Sequence, residues 1–164
     1  MDFYLEELRE ALERATSGMT AAQLEQRPGQ KWSVAQILEH LSLTYSGTVK
    51  GIEKCMAAGK PLATSPTLKH RVAEFAVVGL GHMPQGRKAP ERSVPKGMPG
   101  SEALRALREN LAAMDEAIAR CERQFGGQVK IMDHPILGPL SITGWKKLHW
   151  VHGRHHARQI EKLR

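Results

Sequence analysis

Apolar residues recur at alternating spacings of three and four residues along four long segments of the chain. This spacing places them on one face of an α-helix, whereas a half-buried strand alternates every second residue. The most regular of these stripes consists of Leu104, Leu107, Leu111, Met114, Ile118, Cys121 and Phe125. Four amphipathic helices are enough to enclose one hydrophobic core. The spacing therefore predicts an all-α fold, built as a four-helix bundle.

Local signals set the expected bounds of the first two helices. The first helix should be about 16 residues long, because Gly18 is suited to ending it. Ser33 is followed three residues later by Gln36, which is the form of a capping box. The second helix is therefore expected from about residue 34 to residue 58, where Gly59 and the nearby Pro61 stop it.

A connection of about 40 residues follows the second helix. It contains a short apolar segment, Leu68–Leu80, that favours a helix, and then a stretch rich in glycine, proline and basic residues, Gly81–Gly100. A helix of 25 residues is about 36 Å long at 1.5 Å per residue, and this connection can cross that distance. Helices two and three can thus run parallel.

The last third of the chain should contain the two remaining long helices. Ser101 is expected to open the third helix. The segment Asp133–Pro139 is too interrupted by proline to be helical, and Ser141 or Thr143 can cap the final helix.

Length and composition indicate one ordinary globular domain. A chain of 164 residues without an internal repeat suits a single domain over residues 1–164. No apolar run approaches the roughly 20 residues that a membrane span needs, and the N-terminus lacks the pattern of a secretory signal. We therefore expect a cytoplasmic protein with no membrane partner. Cys55 and Cys121 lie in helical patterns facing the core, which favours small buried hydrophobes over a disulfide.

The net charge of +7 raises the question of nucleic-acid binding. The first helix is acidic, however, and the basic excess lies in the connection between Arg87 and Lys96 and on the last helix. Aromatic residues make up only 5% of the chain, and no recognition motif for DNA or RNA is present. The distribution disfavours a nucleic-acid partner.

The last long segment combines its apolar stripe with histidines. His149, His152 and His156 fall in the same sector as Trp145, and His155 lies at its flank. His152 and His156, four residues apart, can present two imidazoles to one metal ion.

A third imidazole is needed for a stable site. His40 is the only histidine in the body of another long helix. Zinc(II), nickel(II) and iron(II) accept imidazole nitrogen, and three such ligands leave a position open for water or substrate. The alternative is that the inward histidines only hydrogen-bond within the core, with His149 a packing residue or a support for a ligand.

Three sequence segments together resemble the DinB/YfiT-like superfamily. They are residues 31–41 (Lys-Trp-Ser-Val-Ala-Gln-Ile-Leu-Glu-His-Leu), residues 134–139 (His-Pro-Ile-Leu-Gly-Pro) and residues 152–160, which contain the spacing HxxxH. More narrowly, the chain is similar to a branch of that superfamily catalogued as a domain of unknown function.

The resemblance implies a four-helix bundle of up-down-down-up topology with a long crossover between helices two and three. It also implies a metal ion held by His40, His152 and His156. Better-understood relatives are thiol-dependent S-transferases and a maleylpyruvate isomerase, often dimeric, with zinc or nickel bound. The resemblance thus implies a homodimer that acts on a small-molecule substrate together with a low-molecular-weight thiol.

Several other residues are weaker candidates. Glu39 and Asp133 are the available general bases, although a solvent-facing acid and a turn former are the favoured interpretations. Trp32 and Trp145 can wall a pocket or pack in the core. Arg154 and Arg158 can receive an anionic substrate, although solvated helix-surface residues are the favoured interpretation of both.

Three function classes follow. The first is a metal-dependent transferase or hydrolase acting on a small molecule. The second is a non-catalytic metal-binding or structural, stress-related bundle. A basic nucleic-acid binder is the weakest of the three.

Overall fold

The structure, a computed structural model, describes residues 1–84 and 88–164 and is mostly helical, with one small two-stranded sheet. The α-helices are α1 (Phe3–Thr16), α2 (Ala21–Glu25), α3 (Val34–Ala58), α4 (Leu68–Glu74), α5 (Gly100–Phe125) and α6 (Ile142–Glu161). The strands are β1 (Lys130–His134) and β2 (Gly138–Ser141). A π-helical turn, Phe75–Gly79, continues α4, and a 3-10 turn spans Glu91–Ser93. Arg87, part of the basic connection, lies outside the described residues.

The core forms where the long helices pack in two main pairs. α3 lies along α5, and α1 lies along α6. The apolar stripes of α1, α3 and α5 supply many of the fully buried side chains, among them Leu8, Leu38, Leu41, Tyr45, Met114 and Ile118. Burial of these stripes is what stabilises the helices, because isolated helices of this length are only marginally stable in water. The up-down-down-up order of the long helices stays a prediction.

The signals at the ends of α3 act as expected. The Ser33 hydroxyl oxygen accepts a hydrogen bond from the Gln36 backbone N–H (3.2 Å), and the Gln36 side-chain oxygen accepts one from the Ser33 N–H (3.0 Å). The helix ends at Ala58, and Gly59 follows with a left-handed φ of 63°. The capping box is thereby confirmed.

α5 begins one residue before the predicted start. Its N-cap is Pro99, and Ser101 is an exposed residue inside the first turn. The Gly100 N–H donates to the Glu25 carboxylate (3.0 Å), and a Cβ at Gly100 would lie 2.7 Å from Leu24 Cβ. A tertiary contact with α2 therefore sets this helix start in place of a local serine cap.

The two-stranded sheet is a correction to the all-α expectation. The segment Asp133–Pro139 is not helical, as predicted, but it forms the turn and the adjoining strand ends of an antiparallel pair in which Asp133 faces Pro139 and His134 faces Gly138. Gly138 has a left-handed φ of 69°, which suits the tight reversal. Strands of four and five residues are too short to show alternation in the sequence, so the hairpin was not predicted.

The described helices include no segment both long enough and apolar enough to cross a membrane. Cys55 and Cys121 are free thiols with no exposed surface, as the sequence predicts. Burial raises the pKa of Cys121 to about 11, so its thiolate is scarce at neutral pH.

Gly153 lets α6 approach α1 closely. A Cβ at this position would lie 2.0 Å from Leu8 Cδ1 and 3.2 Å from the Tyr45 hydroxyl oxygen. Overpacking of this kind costs about 1–3 kcal/mol, against a gain of about 1 kcal/mol in helix propensity for Ala over Gly. We therefore expect Gly153→Ala to lower the free energy of unfolding in urea titrations.

Gly47→Ala is the matched control, because Gly47 lies in α3 with no atom within 4 Å of its added Cβ. Its free energy of unfolding should rise by about 0.5–1 kcal/mol. A Gly153→Ala protein as stable as the Gly47→Ala protein would contradict the close-packing argument.

Candidate metal centre

Three histidine side chains from two helices meet at one point. His40 comes from α3, and His152 and His156 come from successive turns of α6. The Nε2 atom of His152 lies 3.2 Å from Nε2 of His40 and 3.0 Å from Nε2 of His156. One ligand atom from each residue lies within 4.8 Å of the others. We call these residues the histidine trio.

The opposite ring nitrogens show which way two of these rings present their lone pairs. The His40 Nδ1–H donates to the Ser93 carbonyl oxygen (2.8 Å), and the His156 Nδ1–H donates to the Gln159 side-chain oxygen (2.7 Å). Both acceptors lack a proton to give, so the histidines must be the donors. The Nε2 atoms of His40 and His156 therefore carry lone pairs directed at His152, as metal-binding imidazoles do.

Hydrogen bonding alone satisfies this arrangement poorly. A single proton on His152 Nε2 has two nitrogen acceptors to serve, at 3.2 Å and 3.0 Å. A tetrahedral ion with zinc–nitrogen bonds of about 2.0–2.1 Å would hold its ligand nitrogens about 3.3 Å apart. The donor set and its spacing thus fit a divalent metal ion.

The surroundings keep the trio uncharged. Burial lowers the pKa of His40, and burial together with neighbouring His40 lowers the pKa of His156 to about 3. The pKa of His152 lies well below its usual value, because burial and the adjacent rings of His156 and His40 oppose a positive charge. Neutral imidazole is the form that binds metal, so no proton needs to leave these rings near pH 7.

The segment between α3 and α5, residues 59–99, supports His40 through two neighbouring contacts. Ser93 in its 3-10 turn accepts the His40 hydrogen bond. The Glu39 carboxylate accepts three backbone N–H groups of the same segment, from Lys96 (2.8 Å), Gly97 (3.0 Å) and Met98 (2.9 Å). Glu39 is only 3% exposed, so the interpretation as a solvent-facing acid is wrong. Its lone pairs are engaged by the backbone, which leaves it a support rather than a base.

The trio opens onto a cleft of about 2000 Å³. Trp32 lines this cleft, and its ring centroid lies 5.2 Å from that of His40 at a tilt of 45°. Trp32 therefore walls the site, as one sequence hypothesis held. Asp133 also lines the cleft, but its carboxylate accepts hydrogen bonds from the Thr64 N–H (2.9 Å) and hydroxyl (2.6 Å). These hydrogen bonds leave the Asp133 carboxylate a poor candidate for a general base.

His149 lies outside the trio and is 1% exposed. Its ring stacks on Trp145 with centroids 5.7 Å apart, and Nε2 lies 3.0 Å from the Thr48 hydroxyl. That hydroxyl also lies 3.2 Å from the Thr44 carbonyl, to which it donates, so His149 is the donor to Thr48. These contacts support the packing interpretation of both His149 and Trp145.

The other histidines do not join the trio. His155 accepts a hydrogen bond from the Gln159 amide nitrogen (3.0 Å). His134 in β1 accepts the Ile136 and Leu137 N–H groups (3.2 Å each), and His82 is exposed in the segment after the π-helical turn.

Two residues that orient the trio were not predicted. Gln159 lies one turn beyond His156, and that spacing was a usable signal. Ser93 contributes only a carbonyl oxygen from a distant turn, for which the sequence carries no signal. The two candidate arginines of α6 lie in different surroundings. Arg154 lies over the Trp150 ring, 4.6 Å from its centroid, whereas Arg158 lines the cleft.

Protonation of His149 should make the metal-free protein acid-sensitive. Burial lowers its pKa in the folded state to about 3, whereas the unfolded value is about 6.5. The unfolded chain therefore binds more protons between these values, and stability falls as the pH falls below about 6.5. This one group should remove about 2 kcal/mol of unfolding free energy between pH 7 and pH 5.

The measurement is chemical denaturation with a chelator present, comparing the wild type with His149→Gln. The variant starts from a different stability because the stacking on Trp145 changes. Its loss of stability between the two pH values should nevertheless be smaller by about 2 kcal/mol. Equal losses in the two proteins would contradict the assignment.

Glu39→Gln should weaken the support of His40. An amide offers one acceptor oxygen where the carboxylate serves three donors, and its NH₂ group would face backbone N–H groups. We expect a stability loss of about 2 kcal/mol and a 10–100-fold weaker metal affinity, measured by denaturation and by calorimetry. Glu91→Gln, an exposed acid in the same segment, is the control and should change neither quantity. Unaltered metal affinity in Glu39→Gln would show that His40 does not depend on this contact.

A comparison with known protein families matches residues 1–163 to the family described as "Protein of unknown function (DUF1569)". Comparisons with curated proteins and with solved structures find no significant match. Since the family match extends over nearly the entire sequence, the chain belongs to the DUF1569 family.

Proposed function

We propose that this protein is a divalent-metal-dependent enzyme that acts on a small molecule, with His40, His152 and His156 as the metal ligands. The single observation that carries the proposal is the meeting of three neutral imidazole nitrogens at 3.0 and 3.2 Å, with two rings oriented by hydrogen-bond acceptors on their far side. Zinc or nickel is the expected metal, and iron(II) also suits imidazole ligands.

The number of ligands favours reactivity over a structural role. Structural zinc sites are closed by four protein ligands, whereas catalytic sites have three and an open position. Among the described residues, no further histidine, cysteine or carboxylate belongs to the group formed by the trio. The trio also lines a cleft wide enough for a substrate. A bound metal would lower the pKa of a coordinated water or thiol.

The finer parts of the proposal rest on the resemblance to the DinB/YfiT-like superfamily. They are the up-down-down-up topology, a homodimeric state, a cytoplasmic location and transfer to or from a low-molecular-weight thiol. Burial raises the pKa of both cysteine thiols, including Cys55 at the cleft, so their reactive thiolates are scarce near neutral pH and a co-substrate is the expected source of a reacting thiol. The reaction would be S-transfer or hydrolysis.

Metal binding is tested first, with protein that carries no histidine tag. Calorimetric titration of the chelator-treated chain with zinc or nickel should give one ion per chain. Single changes of His40, His152 or His156 to Ala should weaken binding by about 100-fold or more, because each removes one of three ligands. His82→Ala is the control, since this exposed histidine lies outside the trio. Equal affinity in His82→Ala and His152→Ala would overturn the proposed site.

Turnover is then measured with a panel of low-molecular-weight thiols and an electrophile, with and without added metal. The metal-dependent rate should disappear in His40→Ala and persist in His82→Ala. One ion bound per chain with no turnover on any thiol or hydrolytic substrate would favour a non-catalytic metal-binding bundle instead.

A further inference from the structure

The charged side chains around the cleft are almost all basic. Among the described residues, seven lysines and arginines line it against a single acid, Asp133, whose carboxylate accepts hydrogen bonds from Thr64. The basic residues are Lys31, Lys54, Lys69, Lys88, Arg92, Arg158 and Lys162. They come from the segment before α3, from α3, from α4, from the segment between the π-helical turn and α5, and from the end of α6. Residues far apart in the chain therefore place the same charge around one concave surface.

Six of the basic residues outside the cleft have carboxylate partners, and none of the seven cleft cations does in the described parts of the protein. Arg9, Arg14, Arg105, Arg120, Lys130 and Lys146 each form an ion pair with a carboxylate, and none of them lines the cleft. Like charges around a concave surface concentrate the electrostatic potential and attract an anion.

The remaining wall of the cleft is apolar. Trp32, Leu43, Val72, Met83, Ile136 and Leu148 contribute to it. Val72 and Ile136 keep 63% and 38% of their surface exposed, and exposed apolar surface beside a cleft is typical of a ligand-binding site. An apolar ligand body would remove this surface from water. A fully hydrated inorganic anion would leave this apolar surface in contact with water.

Arg158 and Lys162 are the cleft cations on the same helix as two members of the trio. They are four residues apart on α6, and Arg158 follows His156 by two residues. His155, next to His156 on the helix, lines the cleft together with both cations. A charged group bound by these two side chains would lie beside the histidine end of the cleft.

We propose that the cleft binds an organic anion with an apolar body, and that Arg158 and Lys162 receive its charged group while the apolar wall holds the rest. The inference deepens the proposed function, since it names the substrate class of the same cleft. Carboxylate, sulfonate and phosphate groups share the required chemistry. Duplex nucleic acid is a poorer fit, because its phosphates need an extended basic surface and the cations here surround a recess.

A matched pair of fluorescent probes tests the proposal. 8-Anilinonaphthalene-1-sulfonate is an anion with an apolar body, and N-phenyl-1-naphthylamine has the same rings without the sulfonate. Titration of the full chain should show the sulfonate binding at least about 5-fold more tightly than the neutral probe, with the difference shrinking as salt is added. Equal affinity for the two probes would overturn the proposal.

The double variant Arg158→Gln/Lys162→Gln should weaken sulfonate binding by about 5-fold or more and leave the neutral probe within about twofold. The control Lys50→Gln/Arg123→Gln removes the same total charge from exposed positions outside the cleft. It should leave both affinities within about twofold. An equal loss in the two double variants would show a response to net charge alone and would overturn the proposal. Displacement of the sulfonate probe by equimolar duplex DNA would overturn it as well.

His152→Ala separates this inference from the metal proposal. Loss of zinc binding with the preference for the sulfonate retained supports both. A wild-type protein that prefers the sulfonate but binds no zinc would overturn the metal site alone. Zinc binding without any preference for the sulfonate overturns the organic-anion proposal alone.

Discussion

The functional part of this structure depends on the meeting of three imidazole nitrogens inside a helical core. Such a meeting is unfavourable by itself, because neutral rings direct lone pairs at one another and have too few protons to share. It persists because the far side of two rings is tied down, His40 by the Ser93 carbonyl and His156 by the Gln159 amide. Preorganisation of this kind favours metal binding, since the ligands need not reorient when the ion binds.

The segment between α3 and α5 is therefore part of the site. Two adjacent residues of α3 hold it: Glu39 binds three of its backbone N–H groups, and His40 donates to one of its carbonyls. Because consecutive helical residues point about 100° apart, one contact faces the site while the other faces away from it. Glu39 therefore supports its sequence neighbour His40 indirectly, by holding the segment whose Ser93 carbonyl oxygen accepts the His40 hydrogen bond.

The cleft adds a second physical constraint, which is charge. The buried, neutral histidines lie beside a recess lined with cations, and these cations discourage a positively charged substrate. The same features favour an anion that reaches the histidine end, where a divalent metal would add further positive charge. Seven of the 24 lysines and arginines surround this one concave surface in the described part of the chain.

Periodicity and capping were enough to predict most of the fold. The apolar stripes identified the long helices, and the Ser33–Gln36 pair located the start of α3, because both signals act between residues close in sequence. The β-hairpin escaped prediction because its strands are short, and the true start of α5 depends on a contact with Glu25.

For the site, helical spacing alone determined that His152 and His156 share a face. His40 was named as their partner because it is the only histidine in the body of another long helix and because of the resemblance to the DinB/YfiT-like superfamily. Only the tertiary structure decided that His40 is buried, that its ring is tied to Ser93, and that Glu39 faces the backbone of the segment between α3 and α5 instead of water. These contacts join residues more than 50 positions apart. Sequence periodicity describes the local geometry of one helix at a time, and how the helices pack on one another is what brings such residues together.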